Sequence, residues 1–254
     1  MWCHTRRGDR YVTVVIDLTP VRDRSGPARL LDVVPGRSKK VLKTWLAARD
    51  ESWRGRVEVV AMGGFTGFKS AAGEELPETR AVMDPYARRV PGYRKLDQCR
   101  RIQREATGRA GDRLYRARRT LRTGADLLTD AQAECLETLF ADDRHAPVHA
   151  ACGVYQRLIQ AYRVEEPGLG RFLMQRLIDS LRQVVPNGLE ESQTLAKILI
   201  SCSQDILAYF DRPRTSNGPT EAFNGRLEHL RGIALGFRNL THAGRLQDHL
   251  TTTT

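Results

Sequence analysis

A change of periodicity at Pro91 constrains this chain more than any other feature. Ahead of it, short β-branched runs alternate with stretches whose apolar residues recur every three or four positions. Behind it, no strand-like run appears. The run "YVTVVIDL" (Tyr11–Leu18) and the run "ARLLDVV" (Ala28–Val34), separated by a Pro/Gly/Asp-rich connection, predict a β-hairpin. Val41, Leu42, Trp45 and Leu46 fall at helical spacing behind Ser38, which is chemically suited to cap the first turn. A strand over Arg56–Met62, a helix over Thr66–Leu76 and a strand over Arg80–Asp84 complete a β-β-α-β-α-β order, which predicts a mixed sheet with helices packed on it.

The residues after Pro91 predict helices only. Cys152, Tyr155, Ile159 and Tyr162 make one apolar stripe. Phe172, Leu173, Leu177 and Leu181 make a second, and Leu195, Ile198, Cys202, Ile206 and Phe210 a third, each read as a core-facing surface. With 254 residues and 41% apolar content, the chain is long enough to bury a full core. Its five cysteines are scattered and contain no C-x-x-C pair, so they read as reduced thiols rather than as a zinc clamp. No apolar run approaches the roughly 20 residues that span a bilayer, and no charged-then-apolar leader opens the sequence. The expectation is a cytoplasmic protein with no membrane contact.

Forty-one Lys and Arg against 30 Asp and Glu give a net charge of +11, which favours an anionic partner. The charge is concentrated: residues 88–122 hold 13 Lys/Arg and three Asp/Glu, a net +10. Tyr93 and Tyr115 lie among these cations, as on surfaces that track a phosphate backbone. The candidate DNA contacts are Arg88, Arg89, Arg94, Lys95, Arg100, Arg101, Arg104, Arg116, Arg118 and Arg119. A solvated helical face is the plainer alternative for the same run.

Two further segments have the form of a site. "RVEVVAMGGFTGF" (Arg56–Phe68) runs from a strand into a turn, and ligands gather just past the carboxyl ends of strands in sheets crossed by helices. Gly63 and Gly64 occupy that position, which reads either as a plain turn or as a site without its working side chain. In "TSNGPTEAFNGRLEHLRGIALGFRN" (Thr215–Asn239), Ser216, Asn217 and Pro219 look like a helix start, with Pro in the first turn where its missing N–H costs nothing. Asn217, Glu221, Asn224, Glu228 and Arg231 follow at spacings of 4, 3, 4 and 3, beside an apolar stripe of Phe223, Leu227 and Leu230. A carboxylate flanked by two amides can meet a metal or a phosphate, although polar helix stripes are commonly just solvated.

These segments, together with "RRGDRYVTVVIDLTP" and "VEVVAMGGFTGFKSAA…AVMDPYARRV", resemble the ISL-three group of bacterial insertion-sequence DDE transposases from about Arg6 to Asn239. The resemblance implies an α/β, RNase H-like mixed sheet carrying a large all-helical insertion before the Glu-bearing helix. The core would be residues 1–90 without its first strand, the insertion 91–214, and the returning helix 215–254. Such enzymes use an Asp-Asp-Glu triad to hold two divalent cations, normally Mg²⁺, roughly 4 Å apart across an in-line displacement at phosphorus. Water nicks the transposon end, and the freed 3′-hydroxyl then attacks target DNA. Glu221 matches the triad glutamate, Gly63 stands where the second aspartate belongs, and the first aspartate would fall at or before Met1, as would the zinc-binding and helix-turn-helix region of full-length relatives. The Asp-Pro-Phe-His motif reads Asp84-Pro85-Tyr86-Ala87 here, so Asp84 is kept and the imidazole is lost. Asp84, Asn217 and Asn224 are supporting candidates, and any metal at Glu221 alone would be held weakly.

The resemblance therefore implies a truncated, catalytically inactive transposase, associated with the nucleoid. An alternative is a non-enzymatic DNA-binding or assembly-interfering regulator that competes with an intact transposase through residues 88–122 or a shared interface; the expected partners are DNA and either a second copy of the chain or an intact transposase. A third reading is a nuclease rebuilt on Asp17 or Asp84 with Glu221.

Overall fold

The computed structural model describes residues 11–63, 65–84, 94, 96–101, 111–183, 190–212 and 215–233. Gly64, Arg88, Arg89, Tyr93, Lys95 and Arg104 lie outside them. The chain divides into two compact units, one drawn from residues 1–84 and 212–254 and the other from residues 85–211.

In the first unit, β1 (Val12–Asp17) and β2 (Arg29–Pro35) form the expected antiparallel hairpin, in register from Val12 opposite Pro35 to Asp17 opposite Arg29, with a bulge between Val15 and Ile16. The Pro/Gly/Asp-rich connection is more ordered than its composition suggests. It holds a short helix, α1 (Thr19–Asp23), entered through Pro20. Asp17 closes the hairpin, accepting from the Thr19 N–H at 2.8 Å and from the Arg29 guanidinium at 2.6 Å. Burial alone would raise the Asp17 carboxyl, but the Thr19 hydrogen bonds and Arg29 outweigh it and hold the carboxyl below its ordinary range.

Ser38 caps α2 (Lys39–Ala47) as expected, its Oγ accepting from the Val41 N–H at 3.2 Å. A further short helix, α3 (Glu51–Gly55), is capped by Asp50 and precedes β3 (Val59–Met62). The chain then forms α4 (Thr66–Glu75) and β4 (Arg80–Met83), and β4 lies parallel to β3 with Val59 opposite Arg80 and Met62 opposite Met83. The predicted single mixed sheet is not what the described strands form. They make two two-stranded sheets, β1–β2 and β3–β4, with no ladder between them among the described residues. Side chains join the pairs instead: Val15, Val34 and Val60 pack on one cluster with Trp45, Leu46 and Leu76. Trp45 also donates its indole N–H to Asp32 at 2.7 Å and meets Trp53 edge-on at 5.6 Å.

The second unit is helical among its described residues. It runs through a helical segment at 96–101, α5 (Arg113–Arg116), α6 (Asp130–Phe140), α7 (Ala146–Arg163), α8 (Pro167–Gln183), α9 (Glu190–Ser201) and α10 (Ser203–Asp211). α7 supplies both cores. Val154, Leu158 and Ala161 face α8, α9 and α10, and Val148, Cys152, Tyr155 and Ile159 pack with Leu96, Leu114, Leu121 and Leu139. Two predicted stripes need correction. Phe172 is 55% exposed because the buried face of α8 runs through Gly170, Met174, Leu177, Ile178 and Leu181. The stripe from Leu195 to Phe210 bends at Cys202 and spans two helices. Gly170 is there for space: a Cβ on it would lie 2.7 Å from the Phe210 ring and 2.8 Å from the Ala161 carbonyl oxygen.

The chain returns to the first unit as α11 (Gly218–Ile233). Leu227 is its buried anchor, and the helix packs against β1. Among the described residues no helix is long and apolar enough to cross a membrane.

Candidate functional site

The carboxyl ends of β3 and β4 bring Gly63 and Asp84 side by side. They are the next pair in the parallel register after Met62 and Met83, and the Asp84 N–H donates to the Met62 carbonyl at 3.2 Å. Residues paired in a parallel ladder point to the same face, so a side chain at 63 would share its face with Asp84. No described atom lies within 4 Å of a Cβ built on Gly63, and its backbone is not in the left-handed region. Among the described residues, neither space nor backbone requires glycine here.

Asp84 is 2% exposed and accepts from the Ser216 hydroxyl at 3.2 Å. The same Ser216 oxygen accepts from the Gly218 N–H at 3.0 Å, one of the donors that a helix start leaves unsatisfied. One serine thus links the end of β4 to the start of the helix that carries Glu221. Sequence reasoning placed Ser216 at a helix start but missed this link, since the bond spans 132 positions and no local pattern encodes it.

Glu221 sits in the first turn of α11, its backbone N–H bonded to the Asn217 carbonyl, and is solvent-exposed. Asn217 Nδ2 donates to Glu221 Oε1 at 3.4 Å, so the first amide and the carboxylate are joined as their spacing suggested. Asn224 lies one turn on, and its Oδ1 is buried without a partner among the described residues. Thr215, 1% exposed, leaves its hydroxyl unpaired in the same way. Asp17 is engaged in the hairpin and Asp84 by Ser216, which leaves Glu221 the most accessible of the three carboxylates.

The donors among the described residues do not make up a two-metal centre. Magnesium needs several hard oxygen ligands in near-octahedral array, Gly63 supplies no side-chain oxygen, and among the described residues no three His, Cys, Asp or Glu side chains converge.

The structure sorts the basic segment. Arg100, expected on the DNA surface, is 5% exposed, with Nε and Nη2 bonded to Asp97 at 2.9 and 2.8 Å. Asp97 also pairs with Arg101 at 2.8 Å, though that guanidinium remains exposed. Arg118 stacks 4.1 Å from the centre of the Tyr115 ring and donates to the Tyr115 carbonyl. Arg94, Arg116 and Arg119 are exposed. Arg113, missing from the sequence-based set, is exposed as well. Its position three residues before Arg116 was the available signal.

A family model described as Transposase, that of the ISL-three DDE group, matches residues 3–243. Enzymes of this family normally use a divalent metal. Neither a curated protein nor a solved structure matches the chain. The family match spans nearly every segment from which the fold and the candidate site were built, and the chain belongs to the ISL-three group of DDE transposases.

Proposed function

We propose that this chain is a transposase-type protein that binds DNA and has lost efficient cleavage and strand transfer. Its RNase H-like core would be residues 1–90 with 215–254, interrupted by the helical insertion 91–214, and it would act in the cytoplasm where transposon ends and target DNA are available. The observation that carries the reading is Gly63. It follows β3 beside the buried Asp84, with no described atom within 4 Å of a Cβ built there, and the sequence resemblance puts the family's second aspartate at this position. Glu221 and Asp84 alone leave too few carboxylates to hold a cation pair against its charge and hydration.

A second reading is a non-enzymatic regulator that occupies DNA, or joins an intact transposase or another copy of itself. The exposed arginines in residues 113–122 favour it. Both readings predict the same metal behaviour. Thermal unfolding of the wild type and of Glu221→Gln should shift equally on titration with Mn²⁺. A stabilisation that saturates below millimolar Mn²⁺ and vanishes in Glu221→Gln would overturn the loss of the metal site.

A further inference from the structure

Residues 112–122 form a nearly continuous helical path: the Arg116 N–H bonds to Asp112, Ala117 to Arg113, Leu121 to Ala117 and Arg122 to Arg119. Leu114, Ala117 and Leu121 are buried, and Asp112 is fully buried as the cap that accepts from the Tyr115 N–H at 2.9 Å. With the apolar side inward, Arg113, Arg116 and Arg119 emerge at a spacing of three on the outer side, all exposed and without an ion-pair partner among the described residues. Residues 113–122 contain five arginines and no acid.

We propose that Arg113, Arg116 and Arg119 are the stripe by which this protein grips the phosphate backbone of duplex DNA. Asp97, Arg100, Tyr115 and Arg118 form the internal clamp that holds this stripe outward. The inference rests on the reading of the chain as a DNA-binding transposase relative and assigns the surface that does the binding. Arg100 cannot serve there, because its guanidinium is buried and held by Asp97. Arg118 is committed to the ring and carbonyl of Tyr115.

The clamp also selects the form of nucleic acid. Single-strand binders need open aromatic faces on which bases stack. Tyr115 is half-buried, with Arg118 at 4.1 Å and Arg100 at 5.9 Å from its ring centre, so it offers no such platform. A row of guanidiniums without an aromatic face recognises phosphate, which carries no sequence information by itself. The expected partner is duplex DNA bound with little sequence preference.

The test is the salt dependence of binding to a random 30-base-pair duplex, using the full chain, its triple variant Arg113→Ala/Arg116→Ala/Arg119→Ala, and Arg118→Ala. Each phosphate contact contributes roughly −0.9 to the log–log slope, so the triple variant should lose roughly 2 to 3 units of slope while keeping the wild-type unfolding midpoint. Arg118→Ala should lower the midpoint and leave the slope within one unit. A wild type that binds no duplex at all would overturn the DNA-binding reading and the stripe with it. A wild type that binds with a steep slope unchanged in the folded triple variant would overturn the stripe alone. So would tighter binding to a single strand of the same length.

Discussion

Gly63 permits a quantitative test of whether a carboxylate position has been vacated. If glycine is present only because an aspartate was lost, the site should accept a side chain. A Cβ there meets no described atom within 4 Å and the backbone is not left-handed, so Gly63→Ala should stabilise the protein by about 0.4–1 kcal/mol through the unfolded state. Gly63→Asp gains the same conformational term but places a second carboxylate on the face of Asp84, one strand spacing away. At roughly 5 Å and an effective dielectric of about 20, two full charges repel by about 3 kcal/mol, which exceeds the conformational gain. Gly63→Asp should therefore be about 1–3 kcal/mol less stable than Gly63→Ala at neutral pH, after screening and side-chain rotation. The Gly63→Asp protein alone should recover part of this deficit in millimolar Mn²⁺, since a cation between the two carboxylates cancels their repulsion. It should still not cleave DNA. Urea unfolding of the three proteins with and without Mn²⁺ reads these differences. A Gly63→Ala variant destabilised by more than about 1 kcal/mol would mean the backbone or packing demands glycine, and the reasoning from open space would fail.

Three further outcomes follow from the packing and the charges. Gly170→Ala drives a methyl into the Phe210 ring and the Ala161 carbonyl and should cost about 1–3 kcal/mol in urea unfolding, whereas Gly153→Ala, which meets nothing within 4 Å, should not destabilise. Glu74 bridges Lys39 and Lys43, whose hydrogen bonds depress its carboxyl to about 2 from 4.5. Its folded value lies below its unfolded one, so the contribution is full above pH 4.5 and is lost as pH falls towards 2; the difference in thermal midpoint between wild type and Glu74→Gln should vanish across that window. Burial pushes the Cys152 thiol up to about 11, whereas Cys135 is exposed, so site-resolved alkylation at pH 8 should label Cys135 in the native state and Cys152 only on unfolding.

The elements of the first unit were legible because each carries a local signal. Alternation and β-branching mark β1 and β2, Ser38 marks the start of α2, and the two glycines in the sequence after Met62 end the apolar run of β3. α1 and α3 were missed because five-residue helices have too few turns to show a period, and α1 lies in a stretch whose composition reads as loop. The pairing of strands into two sheets was not legible, since alternation fixes which face is apolar but does not name the neighbour. Phe172 was read as core because Phe, Leu, Leu and Leu fit a helical stripe. The true stripe is offset by the close approach at Gly170, where the missing side chain is the packing feature. In the candidate site, Glu221 and Asn217 could be paired from their spacing of four. The tie from Asp84 to Ser216, the burial of Arg100 and the capture of Arg118 by Tyr115 depend on tertiary packing, where net charge along the sequence cannot distinguish a clamp from a contact surface.

The most direct measurement is the nicking of supercoiled plasmid by the purified wild-type chain, with Glu221→Ala alongside, in Mg²⁺ and in Mn²⁺, with DNA retention scored on the same samples. With Gly63 at the end of β3, the plasmid should be retained by both proteins and remain supercoiled in both metals. Metal-dependent nicking by the wild type that disappears in Glu221→Ala would contradict this, and would mean that Glu221 works with carboxylates such as Asp84 or Asp17 in a rebuilt centre.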